Sequence, residues 1–312
     1  MTKEIKLSII IVNYNVKKLL KGCIKSIYET IKNIEYEVIV IDNNSSDGSV
    51  EMLKNEFPQV KIIENTENKG FAAANNQGIN VSRGKYILLL NPDTIVLPNA
   101  INTMLEFMDN RAEAGAVGCK ILNPDGTLQS SCRNFPSILI ILYDSIGLHR
   151  VFSKSKIVSR YYLRYWDHDE IRVVDSVKGA CLMIRQEVIK KVGLLDERFF
   201  LFGEEVDWCR RIKENGWKVF FTPNAQIIHY GGQSSKQQSR KNLIESHKAR
   251  QQYFQKYYGS IGVYLSKMIF GFGVLLRIMA CFPILLLGNE KKRQAKERLK
   301  LFSATLKWYL HG

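Results

Sequence analysis

Three short apolar runs, each closing on a polar residue, constrain this chain more than any other feature. Residues 7–12 (LSIIIV) lead into Asn13, residues 36–41 (YEVIVI) into Asp42, and residues 86–90 (YILLL) into Asn91-Pro92-Asp93. Runs this rich in aliphatic and β-branched side chains, without polar alternation, suit strands covered on both faces. Between them the apolar spacing changes. Leu19, Leu20, Cys23, Ile24 and Ile27 recur at helical intervals within residues 16–30. Helices are also expected near 49–55 and across 72–81, with another strand at 60–63. Strands alternating with helices imply an α/β fold with a mostly parallel sheet. Ligands of such sheets bind beyond the carboxyl ends of the strands. Asn13, Asp42 and Asp93 all fall there, so they point to one crevice.

Farther along, residues 134–170 lose periodicity and gather aromatics (Phe135, Tyr143, Phe152, Tyr161, Tyr162, Tyr165, Trp166). Such a stretch is either a functional loop or lid, or a small helical insertion packed on its own rings. A strand is expected over 175–184 (DSVKGACLMI), a short helix over 186–192, and a helix over 204–215 ended by Gly216. A last apolar strand, 226–228, ends at His229.

The chain of 312 residues carries a net charge of +15 and is 46% apolar. That composition excludes disorder. The six cysteines are scattered without a CxxC, and read as reduced packing thiols. The opening MTKEIKLSIIIVNYN lacks the pattern of a secretory signal, so a cytoplasmic active domain is expected. Charge concentrates at the far end. From Arg240 onward fourteen basic residues face three acidic ones, which is +11 of the +15. Within that region residues 268–287 (MIFGFGVLLRIMACFPILLL) are apolar except for Arg277. The length is marginal for a spanning helix, Arg277 opposes burial in lipid, and Pro283 opposes a straight helix. An in-plane or re-entrant contact with an anionic membrane surface is expected, the alternative being a buried helix with a solvated basic face. The basic residues flank an apolar block rather than line an aromatic groove, so no nucleic-acid partner is expected.

Several residues are candidates for chemistry. Asp93 is held stiffly after a strand and a proline, as a carboxylate binding a hard divalent cation would be, though such residues also cap helices. Asp42 suits a ribose or base contact, or a cap of the turn that follows. In 68–76 (NKGFAAANN) Gly70 and three alanines permit close approach at a helix start, where N–H groups favour an anion; tight helix-on-sheet packing is the bland account. Asp207 has arginines three and four residues on and suits surface pairing. Glu204 and Glu205 start a helix beside Phe199, Phe200 and Phe202, surroundings that raise a carboxylate pKa and suit a general base. His229 precedes Gly231-Gly232, which allow a ligand close by.

In this order the motifs resemble the inverting family 2 glycosyltransferases with a GT-A fold, rhamnosyltransferase-like bacterial members in particular. The resemblance covers residues 7 to about 232. It implies that Val12, Asn13 and Tyr14 hold the nucleotide base and that Asp42 contacts base or ribose. Asn68, Gly70, Phe71 and Asn75 would lie along the nucleotide. Asn91-Pro92-Asp93 stands where the family has Asp-x-Asp, leaving Asp93 as the carboxylate ligand of Mg²⁺ or Mn²⁺, with His229 completing the metal or diphosphate site. Glu204-Glu205 matches the catalytic Glu-Asp pair, so Glu205 takes the base position with Glu204 beside it. The implied reaction is metal-dependent transfer, with inversion, of a sugar from a nucleotide diphosphate donor, rhamnose from dTDP-rhamnose or a UDP-sugar. The acceptor would be a glycan or polyprenyl-linked glycan in cell-surface polysaccharide synthesis. The expected organisation is a transferase domain over 1–235 and a basic, apolar helical region over 236–312, at the inner face of the cell membrane. A sugar nucleotidyltransferase would require a Gly-rich basic loop after the first strand, which VNYNVKKLL lacks. A non-catalytic membrane scaffold is the remaining alternative.

Overall fold

A computed structural model of the protein describes residues 4–231, 239–284 and 289–311. The described residues fall into two compact units, one from residues 4–135 and 166–231, the other from residues 136–165 and 239–311. The expected boundary at 235/236, Gly232 and residues 285–287 lie outside the described residues.

The first unit is built on a ten-stranded mixed sheet. Its parallel half runs β3 (Lys61–Glu64), β2 (Tyr36–Asp42), β1 (Leu7–Asn13), β4 (Tyr86–Leu90). Strand β11 (Cys181–Arg185) continues the sheet antiparallel to β4. Beyond it lie β6 (Ala114–Leu122), β12 (Lys218–His229) and β5 (Thr94–Val96), with β6 and β12 parallel to each other. Two short strands hang from this path: β7 (Leu128–Gln129) on β6, and β9 (Arg172–Val174) on β12. A separate pair joins β8 (Cys132–Arg133) to β10 (Ser176–Val177). All seven residues of β1 and all five of β4 are buried, as expected of runs covered on both faces.

Helices cover the sheet in this unit. Helix α1 (Lys17–Thr30) buries Leu20, Cys23, Ile24 and Ile27, which form its apolar stripe. Helices α2 (Ser49–Glu56) and α3 (Phe71–Val81) follow β2 and β3, and α4 (Ala100–Asp109) packs on β12 and β6. The expected strand over 175–184 is broken. Residues Lys178–Gly179–Ala180 leave the extended path between β10 and β11, and the two flanking strands belong to different sheets. At Gly179 a Cβ would stand in ordinary contact with Phe71 and Glu205, at 3.5 and 3.7 Å. Helix α7 (Gln186–Val192) then leads to α8 (Glu204–Glu214), which ends at Gly216 with φ 84.

Phe135 and Trp166 belong to the first unit, while the second unit takes residues 136–165 of the aromatic stretch, partly helical. It carries α5 (Ile138–Ser145) and α6 (Leu148–Val151), and α5 packs on α9 (Ser239–Ile284). Helix α9 is two helices joined at Gly259 (φ 63), and α10 (Asn289–His311) packs back on it. Past the break, Ile261, Tyr264, Met268, Phe272, Leu275 and Met279 are exposed at helical spacing, while Ser266, Phe270, Val274 and Cys281 are buried. The exposed stripe is about 27 Å long at 1.5 Å per residue. Arg277 turns off it and donates to the Asp144 carbonyl at 3.2 Å. Among the described residues one helix, within 242–283, is long and apolar enough to cross a bilayer.

Candidate active site

The carboxyl ends of β1 and β2 are in register, so Asn13 sits beside Asp42. Asn13 Nδ2 donates to Asp42 Oδ1 (2.8 Å) and to Ser45 Oγ (3.0 Å), while Asp42 Oδ2 accepts from the Ser45 N–H (2.8 Å). Both residues are buried, and Val12 backs them from β1 with Tyr14 half-buried beyond. Asp42 thus does what the bland reading expected, ordering the turn after β2, while standing at the crevice.

The start of α3 departs from expectation. Gly70 has φ +84, and a Cβ on it would lie 2.5 Å from the Phe200 carbonyl oxygen. That carbonyl accepts from the Phe71 N–H at 2.7 Å, and Asn68 Oδ1 accepts from the Gly70 N–H at 3.0 Å. These two N–H groups of the helix start are therefore consumed by protein acceptors. Gly70 permits the close approach of the segment that leads to Glu204. Asn75 turns back on its helix, donating to the Phe71 carbonyl (2.8 Å). Asn76 holds the chain at Leu195 with both its amide atoms.

Asp93 and His229 meet. Strands β12 and β5 pair there, and the Tyr230 N–H donates to the Asp93 carbonyl. His229 Nε2 lies 3.2 Å from Asp93 Oδ1 and 3.3 Å from Asn91 Nδ2, and both Asp93 and His229 are buried. The other ring nitrogen settles the tautomer. Gln129 Oε1 accepts from Lys178 Nζ at 2.9 Å, which fixes that atom as the amide oxygen, and it lies 2.7 Å from His229 Nδ1. Nδ1 therefore carries a hydrogen, and Nε2 is the ring nitrogen on the Asp93 side that a cation could take. An imidazole oriented by an outer amide, with its free nitrogen beside a carboxylate, is a donor set that fits a divalent cation. Among the described residues no third His, Cys, Asp or Glu joins the pair. A cation here would need oxygens from a ligand.

Glu204 and Glu205 open α8, after Phe202 (φ 73) and Gly203 (φ 84), two successive left-handed residues. Holding a phenylalanine there costs roughly 1–3 kcal/mol, and such strain concentrates at functional sites. Glu204 is buried and Glu205 half-buried, and Oε2 of each is buried without a hydrogen-bond partner. Burial pushes the Glu204 carboxyl well above the usual range, with the Glu205 charge adding to it. Burial raises Glu205 as well, opposed by the backbone N–H groups of Glu205 and Gly203 and by the charges of Arg133 and Lys178. Asp207, by contrast, is spent on structure, accepting from Arg211 Nε at 2.9 Å.

Three residues of this region escape a reading of the sequence. Gln129 comes from a two-residue strand, Arg133 from β8, and Lys178 from the break before β11. The one available signal is a lysine followed by glycine inside an apolar run, since a charge there needs partners. All six cysteines are buried and free, and burial pushes the Cys23 thiol up to about 12.

The sequence profile described as Glycosyl transferase family 2 matches residues 8–193. Among curated relatives, the N-acetylglucosaminyl-diphospho-decaprenol L-rhamnosyltransferase of Mycobacterium tuberculosis is 27% identical over 228 residues, covering 68% of this chain and 72% of that protein. The low-salt glycan biosynthesis hexosyltransferase Agl10 of Haloferax volcanii is 28% identical over 227 residues, covering 72% and 66%. Among solved structures, the mannosyltransferase PcManGT from Pyrobaculum calidifontis, in complex with GDP-Man and Mn²⁺, aligns with a TM-score of 0.59 at 16% identity, covering 98% of this chain and 88% of that one. GalNAc-T7 with UDP, GalNAc and Mn²⁺ aligns at 0.54 and 16%, covering 73% of this chain but 44% of that one. The profile ends before Glu204, so the acidic pair and His229 rest on geometry. The chain is a glycosyltransferase with the GT-A fold, and it belongs to glycosyl transferase family 2.

Proposed function

We propose that the chain transfers a sugar, rhamnose from dTDP-rhamnose foremost, from a nucleotide diphosphate donor to a glycan or polyprenyl-linked glycan, with inversion at the anomeric carbon. The observation that carries the reading is the Asp93–His229 pair, 3.2 Å apart, with Lys178 bonded to the glutamine that orients the histidine and close enough to Glu205 for their charges to interact. The rhamnosyltransferase likeness supports the donor, and its decaprenol-linked acceptor supports a lipid-linked glycan.

Asp93 Oδ1 and His229 Nε2 would hold Mg²⁺ or Mn²⁺, which when bound neutralises charge on the leaving nucleoside diphosphate. Asn91 and Gln129 hold the histidine in the tautomer that offers Nε2. At the far end of the crevice Val12, Asn13, Tyr14 and Asp42 receive the nucleoside, with Asn68, Gly70, Phe71 and Asn75 flanking it. Glu205 Oε takes the acceptor hydroxyl proton as that oxygen bonds to the anomeric carbon. The bond to the diphosphate oxygen breaks on the opposite face, so no covalent enzyme intermediate forms. Glu204, beside it and higher in pKa, keeps the pair from carrying two buried charges.

The exposed apolar stripe of α9 supports contact with the inner face of the cell membrane, near a lipid-linked acceptor. Arg277, bonded to a carbonyl off the stripe, adds no charge to the lipid side. The testing experiment incubates the full chain and Mn²⁺ with a panel of nucleotide sugars and polyprenyl-diphosphate N-acetylglucosamine. Transfer from dTDP-rhamnose with inverted configuration is expected. Transfer from no donor, or a retained configuration, contradicts the reading.

A further inference from the structure

Two N–H groups at the start of α3, those of Gly70 and Phe71, are already bonded within the protein and so are not offered to a diphosphate. The site nevertheless contains another fixed positive group. Lys178 is half-buried at the break before β11, its Nζ 2.9 Å from Gln129 Oε1. Its charge is felt at Glu205, and Asp93 and Glu205 act on it in turn. It therefore lies near both the proposed base and, through Gln129, the proposed cation pair. An ammonium has three donors, and the structure gives the Lys178 side chain one hydrogen bond, to a neutral amide.

We propose that Lys178 binds the diphosphate of the donor directly, donating to a phosphate oxygen and carrying charge as the leaving group departs. The assignment rests on the glycosyltransferase reading and names the group that takes over from the helix N-terminus. Burial and the neighbouring Arg133 guanidinium lower its pKa to about 8, against the pull of Glu205 and Asp93. Such a partly desolvated ammonium interacts strongly with a phosphate, whereas a surface lysine is screened.

The test is calorimetry of the full chain with Mn²⁺, titrating dTDP, dTMP and thymidine into wild type, Lys178→Met, Lys178→Gln and Lys178→Arg. Each variant is checked for a wild-type melting curve. The methionine and glutamine variants are expected to bind dTDP about ten- to a hundredfold more weakly, as loss of one charged hydrogen bond implies. Thymidine affinity should change less than about twofold, and arginine should restore most of the dTDP affinity. Equal dTDP affinity in the methionine or glutamine variant, or an equal loss for dTDP and thymidine, overturns the assignment while leaving the glycosyltransferase reading intact. A wild-type chain that binds no nucleotide diphosphate at all, of thymidine or uridine, overturns both.

Discussion

Glu204→Gln should make this protein more stable at neutral and alkaline pH, against the usual direction for a change at a buried site. The Glu204 side chain lies in the interior with Oε2 unpartnered, beside a second carboxylate, and its pKa is raised by burial and by Glu205. An acid whose native pKa lies above its unfolded value binds more protons when folded. Stability is then full below the unfolded pKa and is lost as pH rises toward the native pKa. Glutamine has the same shape and no charge to desolvate, so the variant escapes that loss. Glutamine keeps the cost of about 1–3 kcal/mol of a neutral polar group buried without a partner and escapes the larger cost of a charged one. The opposing gain of a carboxylate in the first turn of α8 is only about 0.3–1 kcal/mol, so burial wins. At roughly 2–4 °C per kcal/mol for a unit of this size, the melting temperature should rise by about 4 °C at pH 8. Calorimetric melts between pH 4 and pH 8.5 at constant ionic strength measure it. The gain should shrink toward zero near pH 4, where both side chains are neutral. A lower melting temperature at pH 8, or a gain that does not change with pH, refutes the reasoning.

Gly70→Ala should shift the urea midpoint down, since φ +84 alone costs an alanine about 1 kcal/mol and the Phe200 carbonyl stands where the methyl must go; an unchanged midpoint contradicts the packing. The acid limb of kcat/KM should lie above the ordinary carboxylate range, because burial raises Glu205 and the base works only when ionised. A rate that stays flat down to about pH 4.5 contradicts that. The double change Met268→Asp with Phe272→Asp should lower pelleting of the full chain with anionic vesicles more than tenfold, as two exposed apolar side chains of ~1.5–3 kcal/mol each are lost to the lipid. Undiminished pelleting removes the stripe from the membrane.

Much of the first unit was legible because its strands are covered on both faces and say so in composition. β1, β2 and β4 end within a residue of where their apolar runs do, and the polar residue after each run lies at the expected sheet edge. Helices α1 and α8 declare themselves through a stripe and an acidic first turn. His229 was legible as the end of a strand, yet its meeting with Asp93 depends on β12 pairing with β5 across 130 residues of chain, which no local pattern carries. Lys178 was hidden because DSVKGACLMI has strand composition throughout, while the chain passes from one sheet to another across residues 178–180. The amides of Gly70 and Phe71 looked free because helix N-termini usually are, until the Phe200 carbonyl arrives from a distant segment. The aromatic stretch joins α9 through contacts that skip more than a hundred residues, as from Tyr258 to the Pro136 carbonyl.

In the proposed function Glu205 takes the acceptor proton in a crevice that binds the donor without it. Pre-steady-state transfer by Glu205→Gln, paired with titration of nucleotide sugar into the same protein, tests this most directly. Donor affinity within about twofold of wild type with transfer lowered at least a hundredfold is the predicted result. Transfer at the wild-type rate, or loss of donor binding in step with transfer, contradicts it.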